Sequence, residues 1–230
     1  MTRRLKLAVL LSGGGTTLAN LLHWRDRGRL MADIDLVVSS RPGAGGLDIA
    51  HRAGIRTEVV DAKLYKQTAR EGEEIRDWSA MSRDLDKIIL SGDFDLVCMA
   101  GFLCRYFFDD SLSGRIVNIH PSLIPMFCGQ GMYGHHVHEA VVESGVKVTG
   151  CTVHLADHTY DTGPIILQRC CPVYSTDTPE DVAERVFREE CKAYPEAINL
   201  IAEGQVSFIS NRRTFINGDR FIERFSHDVD

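Results

Sequence analysis

The sequence is poor in the features that mark membrane, secreted and nucleic-acid-binding chains. No uninterrupted apolar run approaches the roughly 20 residues that span a bilayer. The start, Met1-Thr2-Arg3-Arg4-Leu5-Lys6, lacks the apolar core of a signal peptide and runs directly into a first strand. No Cys-x-x-Cys occurs, and the cysteines (Cys98, Cys104, Cys128, Cys151, Cys170, Cys171 and Cys191) are odd in number. Several lie in apolar, strand-like runs, a pattern of free thiols in a reducing cytoplasm rather than of a disulfide framework. Basic residues cluster only at Thr2-Arg3-Arg4 and Asn211-Arg212-Arg213, and the formal charge of -6 gives no nucleic-acid footprint. No repeat, low-complexity tract or linker interrupts the chain. Residues 1–230 are therefore read as one domain, with a core over about 5–202 and a tail over 203–230.

What is present is an alternation of strand and helix signals. Leu5 to Leu11 is an apolar run closed by Ser12 and three glycines, which predicts a buried first strand. Thr16 is the candidate N-cap of the helix that follows. Ile34 to Ser39 is the second strand, a helix covers about Gly46 to Ala53, and Thr57 to Val60 is a short third strand. Residues 62–90 carry Leu85, Ile88 and Ile89 at helical spacing and are read as a longer helix after a loop. Phe94 to Ala100 and Ile116 to Ile119 are the fourth and fifth strands, and His136 to Ser144 is a short helix. Two β-rich runs follow, Gly150 to Ala156 and Pro164 to Tyr174. A long amphipathic helix from about Pro179 to Ala202 should be kinked or interrupted by Pro195. Val206 to Ile209 and Thr214 to Ile216, on either side of Asn211, suggest a last hairpin. Strands separated by helix-length segments predict an α/β fold: a single doubly wound, mainly parallel sheet with helices on both faces.

The chemistry centres on Asn118-Ile119-His120-Pro121-Ser122-Leu123-Ile124-Pro125. Two prolines forbid ladder pairing and helix, so the chain must leave the sheet as a loop. Asn118 and His120, two apart on extended backbone, point to the same side at the mouth of the sheet. An amide can donate to a developing oxyanion while an imidazole moves a proton. Taken alone, the pair is equally a polar strand end that caps a turn.

Three further stretches could carry chemistry. Ser12-Gly13-Gly14-Gly15-Thr16-Thr17 joins strand to helix. It lacks the lysine of a Walker A loop, and Leu18 occupies the third glycine position of the dinucleotide fingerprint. A phosphate monoester on free helix-start N–H groups fits it better than a dinucleotide, the alternative being a plain tight turn. Asp157-His158-Thr159-Tyr160-Asp161-Thr162-Gly163-Pro164 offers an acid that would orient and charge His120, and Asp161 is the better placed of its two. The run Gly129 to His138 holds three histidines in four positions but no carboxylate at ligand spacing. It reads as a loop closing over substrate rather than as a metal site.

Ser-Gly-Gly-Gly-Thr-Thr-Leu, Met-Ala-Gly-Phe, Asn-Ile-His-Pro-Ser-Leu-Ile-Pro, Thr-Gly-Cys-Thr-Val-His and Asp-Thr-Gly-Pro-Ile-Ile-Leu-Gln occur in that order between about Leu5 and Ala202. Together they resemble the folate-dependent phosphoribosylglycinamide formyltransferase family of purine biosynthesis. The resemblance implies formyl transfer from 10-formyltetrahydrofolate, as co-substrate, to the amine of glycinamide ribonucleotide, with no metal. It places the ribonucleotide phosphate on Gly15, Thr16 and Thr17, with Glu190 also binding the ribonucleotide. Asn118 would hold the formyl oxygen, His120 would be the general acid/base and Asp161 its partner. Folate would lie against Leu103, Cys104, Arg105, Ala156, Asp157 and Tyr160, with Arg76 near its tail. The chain departs from the family pattern in having Thr16-Thr17 in place of Ser-Asn, and a longer Gly129 to His138 loop.

Two small-molecule substrates are thus the expected partners, without nucleic acid or membrane, and a homodimer is compatible with the sequence. Three alternatives remain: a 10-formyltetrahydrofolate hydrolase, a methionyl-tRNA formyltransferase (which would require a further RNA-binding domain), and a catalytically silent folate- or nucleotide-binding module.

Overall fold

The computed structural model describes residues 3–68, 74–210 and 213–216. In chain order the strands are β1 (Leu5–Leu11), β2 (Ala32–Ser39), β3 (Arg56–Val59), β4 (Lys66–Thr68), β5 (Glu74–Arg76), β6 (Leu96–Met99), β7 (Ile116–His120), β8 (Val148–Leu155), β9 (Ile165–Pro172), β10 (Val206–Ser210) and β11 (Arg213–Ile216). The helices are α1 (Thr16–Asp26), α2 (Gly45–Arg52), α3 (Trp78–Leu90), α4 (His135–Ser144) and α5 (Pro179–Ala202). The main sheet has the order β3-β2-β1-β6-β7-β8-β9. Its first five strands run parallel, and β8 and β9 are antiparallel to their neighbours. The expected doubly wound, mainly parallel sheet is observed.

The period of two along β1 divides the core. Leu7, Val9 and Leu11 face one cluster with Leu18 and Leu21 of α1, Leu47 of α2, Val141 of α4 and Val182, Val186 and Ile198 of α5. Ala8 and Leu10 face the other cluster, with Met81, Leu85 and Ile89 of α3 and the aromatics Phe94, Phe102, Tyr106 and Phe108. Burial on both faces explains why these strands read as continuous apolar runs.

Three local expectations are corrected. The N-cap of α1 is Gly15, in the left-handed region at φ 79°, and Thr16 is the first helical residue. A Cβ on Gly15 would come within 2.5 Å of the Gly46 Cα, so the tight approach of α2 demands glycine where Thr16 was expected to cap.

The helix expected over 62–90 is only its second half. Asp77 caps α3 by accepting from the Ala80 N–H at 2.9 Å, while its own N–H bonds the Tyr65 carbonyl at 2.8 Å. The chain before it forms a 3-10 turn at Ala62–Leu64 and the β4–β5 hairpin.

Pro195 does not interrupt α5, which runs unbroken from Pro179 to Ala202. Proline removes the donor for the carbonyl four residues back, at Cys191. The Asn20 side chain of α1 supplies a substitute, its Nδ2 donating to the Cys191 carbonyl at 2.9 Å. The expected last hairpin is present as β10–β11, and Thr214 Oγ1 donates to the Ile165 carbonyl on β9. Its turn residues Asn211 and Arg212, and the tail beyond 216, lie outside the described residues.

Candidate active site

The site gathers at the C-terminal ends of β1, β6 and β7, where the strand order reverses. In open α/β sheets such a crevice binds ligands. Tyr194 of α5, fully buried, fixes the adjacent ends: its hydroxyl lies 3.0 Å from the Met99 carbonyl and 2.9 Å from the Val117 carbonyl. The loop after β7 is stapled by Thr152, which donates to the Ser122 carbonyl at 2.7 Å and accepts from the Ile124 N–H at 3.0 Å. Gln168 adds a bond to the Ile124 carbonyl at 3.0 Å. The two prolines leave a loop with few backbone donors, and β8 and β9 side chains hold it.

Asn118 and His120 sit in alternate rungs of the β7–β8 ladder, opposite His154 and Thr152. Asn118 Nδ2 is 3.3 Å from His154 Nε2. Because His154 Nδ1 faces the Leu155 carbonyl at 2.8 Å, that nitrogen carries the proton in the neutral ring. Nε2 is then an acceptor, which fixes the amide and leaves its second N–H hydrogen for the pocket. Asp161 Oδ1 lies 3.6 Å from His154 Nε2, and Oδ2 lies 3.7 Å from His120 Nδ1. A continuous polar chain therefore runs Asn118–His154–Asp161–His120.

His120 is the deep end of that chain, 4% exposed, with Nε2 donating to the Phe127 carbonyl at 2.9 Å. Burial pushes its pKa down, against the Asp161 charge and the Phe127 carbonyl, which favour the imidazolium. Burial also works against the Asp161 charge, but His154, His120 and the Gly129 N–H (2.9 Å from Oδ2) together hold that carboxyl below the usual range. Asp161 adopts φ 55°, a region that aspartate tolerates better than most side chains. Directly behind it, a Cβ on Gly163 would fall 1.9 Å from the Leu155 carbonyl, so only glycine brings the loop this close to β8.

The pocket beside this chain is lined by Met99, Cys104, Arg105, Tyr106, Phe108, Asn118, His154 and the stretch Ala156 to Asp161. Arg105 stacks over Phe107 at 4.4 Å and Tyr160 at 4.9 Å, and His158 stacks on Phe108 at 4.6 Å. Of the residues expected on the folate side, Cys104, Arg105, Ala156, Asp157 and Tyr160 line the pocket. Leu103 is 53% exposed outside that lining, and Arg76, on β5, donates to the Ala62 carbonyl at 2.8 Å.

On the ribonucleotide side, Gly15, Thr16 and Thr17 open α1, whose N-terminus has no side-chain cap. Its first-turn N–H groups are open to an anion. Glu190 stands on α5 one residue before Cys191, whose carbonyl Asn20 of α1 binds. Burial raises its carboxyl to about 7.

The run expected as a loop from Gly129 to His138 is helical in its last four residues, where His135 and His136 open α4. His135 approaches Glu139 and Glu180 at 3.6 and 3.4 Å, and His136 approaches Glu139 at 3.2 Å. Among the described residues no group of three His, Cys, Asp or Glu side chains could hold a metal ion. All seven cysteines are free thiols. Among the described residues no helix is long and apolar enough to cross a membrane.

Residues 5–198 match the formyl transferase family. The chain belongs to that family. The trifunctional purine biosynthetic protein adenosine-3 of Gallus gallus is 41% identical over 207 residues, covering 89% of this chain and 19% of that protein. The chain thus spans about a fifth of that relative's length. The chloroplastic phosphoribosylglycinamide formyltransferase of Arabidopsis thaliana is 35% identical over 208 residues, covering 90% of this chain and 68% of that protein. The crystal structure of glycinamide ribonucleotide transformylase 1 from Symbiobacterium toebii superposes with a TM-score of 0.80 at 37% identity, over 95% of this chain and 96% of that one. The resemblance read from the five motifs is borne out, and the sheet described above is the formyltransferase fold.

His154 was missed as a site residue, although it ends the Thr-Gly-Cys-Thr-Val-His motif. The available signal was positional: an antiparallel return strand from the Asp161 loop must set one of its residues beside Asn118.

Proposed function

We propose that this chain transfers a formyl group from 10-formyltetrahydrofolate to the amine of glycinamide ribonucleotide. The observation that carries the reading is that Asn118, His154 and Asp161 wall a pocket built from the β6–β7 and β8–β9 loops, with His120 buried behind Asp161 outside the lining. In that pocket, Cys104, Arg105, Ala156, Asp157 and Tyr160 hold the folate, with Leu103 and Arg76 at its edge. The N–H groups of Gly15, Thr16 and Thr17 take the ribonucleotide phosphate, and Glu190 takes a hydroxyl or amine donor of the same substrate.

In the reaction the amine nitrogen bonds the formyl carbon, the bond from that carbon to the folate nitrogen breaks, and one proton moves from the attacking to the departing nitrogen. Asn118 meets the formyl oxygen with its free N–H hydrogen as negative charge develops there. Removing one such donor costs on the order of a hundredfold in rate. His120 exchanges the proton, directly or through a water. Burial lowers its pKa, and the Asp161 charge opposes that shift in favour of the protonated ring.

We read residues 1–230 as one formyltransferase domain working in the cytoplasm, in keeping with its free thiols; the Arabidopsis relative is named as chloroplastic. Mass spectrometry of the ribonucleotide after incubation with the formyl donor tests the activity. Wild type should yield the N-formyl product, and Asn118→Ala should form it about a hundredfold more slowly. Near-normal formation by a folded Asn118→Ala variant would remove Asn118 from the mechanism.

A further inference from the structure

Ser12 directly follows β1 and is 1% exposed, yet it carries no substrate role in the reading above. Its hydroxyl is the meeting point of three loops. It accepts from the Ser40 hydroxyl at 2.7 Å, which brings in the end of β2. It also accepts from the Leu103 N–H at 2.9 Å, and its own N–H donates to the Gly101 carbonyl at 3.0 Å, which brings in the loop after β6. Both oxygen lone pairs are then used, and the Cys104 thiol lies close enough to feel both serine hydroxyls. Ser40 in turn is fixed by the bond from its N–H to the Leu11 carbonyl at 3.0 Å. Ser12 lies three residues before Gly15, on the glycine loop, and is bonded to the segment that carries Cys104 and Arg105 into the folate pocket.

We propose that Ser12 is a positioning residue that couples the two substrates: the junction Ser12–Ser40–Leu103 transmits order from the phosphate loop to the folate loop and back. The inference rests on the assignment of the two substrates to those loops. A phosphate seated on Gly15 to Thr17 restrains the glycine loop, and through Ser12 it restrains Leu103 and Cys104. The second ligand then meets a loop that has already lost part of its freedom, so it binds tighter with no change of shape. Linkage requires the same factor in the other direction. The Ser12–Ser40 bond is buried and the Leu103 bond partly buried where β1 and β6 part, which limits competition from water.

The test uses the full chain and a pair of ligands that cannot react, glycinamide ribonucleotide and tetrahydrofolate, with affinities from calorimetry. For wild type, saturating tetrahydrofolate should tighten ribonucleotide binding about fivefold or more. Amide exchange across residues 101–105 should slow when the ribonucleotide alone is added. Ser12→Ala should bring the factor to within about twofold of unity and abolish that slowing, and Ser40→Ala, which removes one of the two bonds to Ser12, should lower it.

Ser39→Ala is the control. Its hydroxyl is equally buried but bonds only within its own turn, to the Arg41 carbonyl at 2.7 Å and the Arg41 N–H at 3.1 Å. It should lower thermal stability and leave the factor intact. Absence of coupling in wild type that binds both ligands, or full coupling in whichever serine-junction variants fold, overturns the proposal. Loss of coupling in Ser39→Ala as well would also overturn it, as general softening. Failure of wild type to bind either ligand would instead overturn the formyl-transfer reading.

Discussion

Asp161 Oδ2 faces His120 Nδ1 at 3.7 Å, and their side chains are 11% and 5% exposed. The aspartate is the one negative charge shared by His120 and His154, so it sets how readily His120 takes a proton. Asp161→Asn removes that charge and leaves only the Phe127 carbonyl to oppose burial. The rate should fall on the order of a hundredfold, and the acid limb of the pH–rate profile should move to lower pH. An unchanged limb in an active variant would show that His120 is not the titrating group.

The same two groups make the fold sensitive to acid. Burial lowers the His120 pKa, so between its ordinary value of 6.5 and its folded value the unfolded chain binds more protons and stability falls as pH falls. Asp161 is held below 3.8, and its contribution is lost as pH drops through that lower folded value. Melting temperature should therefore decline from pH 7 downwards in wild type and more shallowly below pH 6.5 in His120→Gln. Parallel curves would contradict the assignment.

Glu190 behaves in the opposite sense. Its carboxyl is raised from 4.5 to about 7, so the stability linked to its protonated form is present below the unfolded value and lost as pH rises through 7. Glu190→Gln should be more stable than wild type at pH 8 by on the order of 1 kcal/mol, discounted for the partial solvent access of the side chain. The difference should vanish near pH 4, while ribonucleotide affinity weakens at both. A variant less stable than wild type at pH 8 would mean that the carboxylate has a favourable partner.

Asn20 and Pro195 form a compensating pair through the Cys191 carbonyl. Asn20→Ala strands that acceptor and should cost about 1–2 kcal/mol in urea unfolding. In the Pro195→Ala background the residue 195 N–H can bond Cys191 itself, and the cost of Asn20→Ala should fall by about 1 kcal/mol. Additive effects would mean that the Asn20 bond does not replace the missing helix bond.

His154 should matter nearly as much as the residues it aligns. His154→Ala frees the Asn118 amide to rotate and removes an imidazole that helps hold the Asp161 carboxyl low. A fall in kcat of about tenfold or more is expected, with little change in the KM for the ribonucleotide. Unchanged kcat would place Asn118 under other control.

The strands were legible because burial on both faces writes long apolar runs, and Asn118, His120 and Asp161 because prolines and polar loops interrupt those runs. What stayed hidden depended on partners distant in sequence. Pro195 reads as a possible break in the helix until Asn20, on another helix, supplies the missing donor. Thr16 reads as a cap until Gly46 crowds Gly15. His154 looks like one more position in an apolar strand until the ladder sets it opposite Asn118. Residues 62–77 share the charge pattern of α3, and only the Asp77 cap marks where the helix starts.

The central claim is acceptor-dependent formyl transfer, and absorbance-monitored conversion of 10-formyltetrahydrofolate to tetrahydrofolate, with and without glycinamide ribonucleotide, tests it most directly. Conversion only when the ribonucleotide is present is the predicted result. Equal conversion without it would make water the acceptor and the enzyme a hydrolase, and no conversion in either case would leave a binding module.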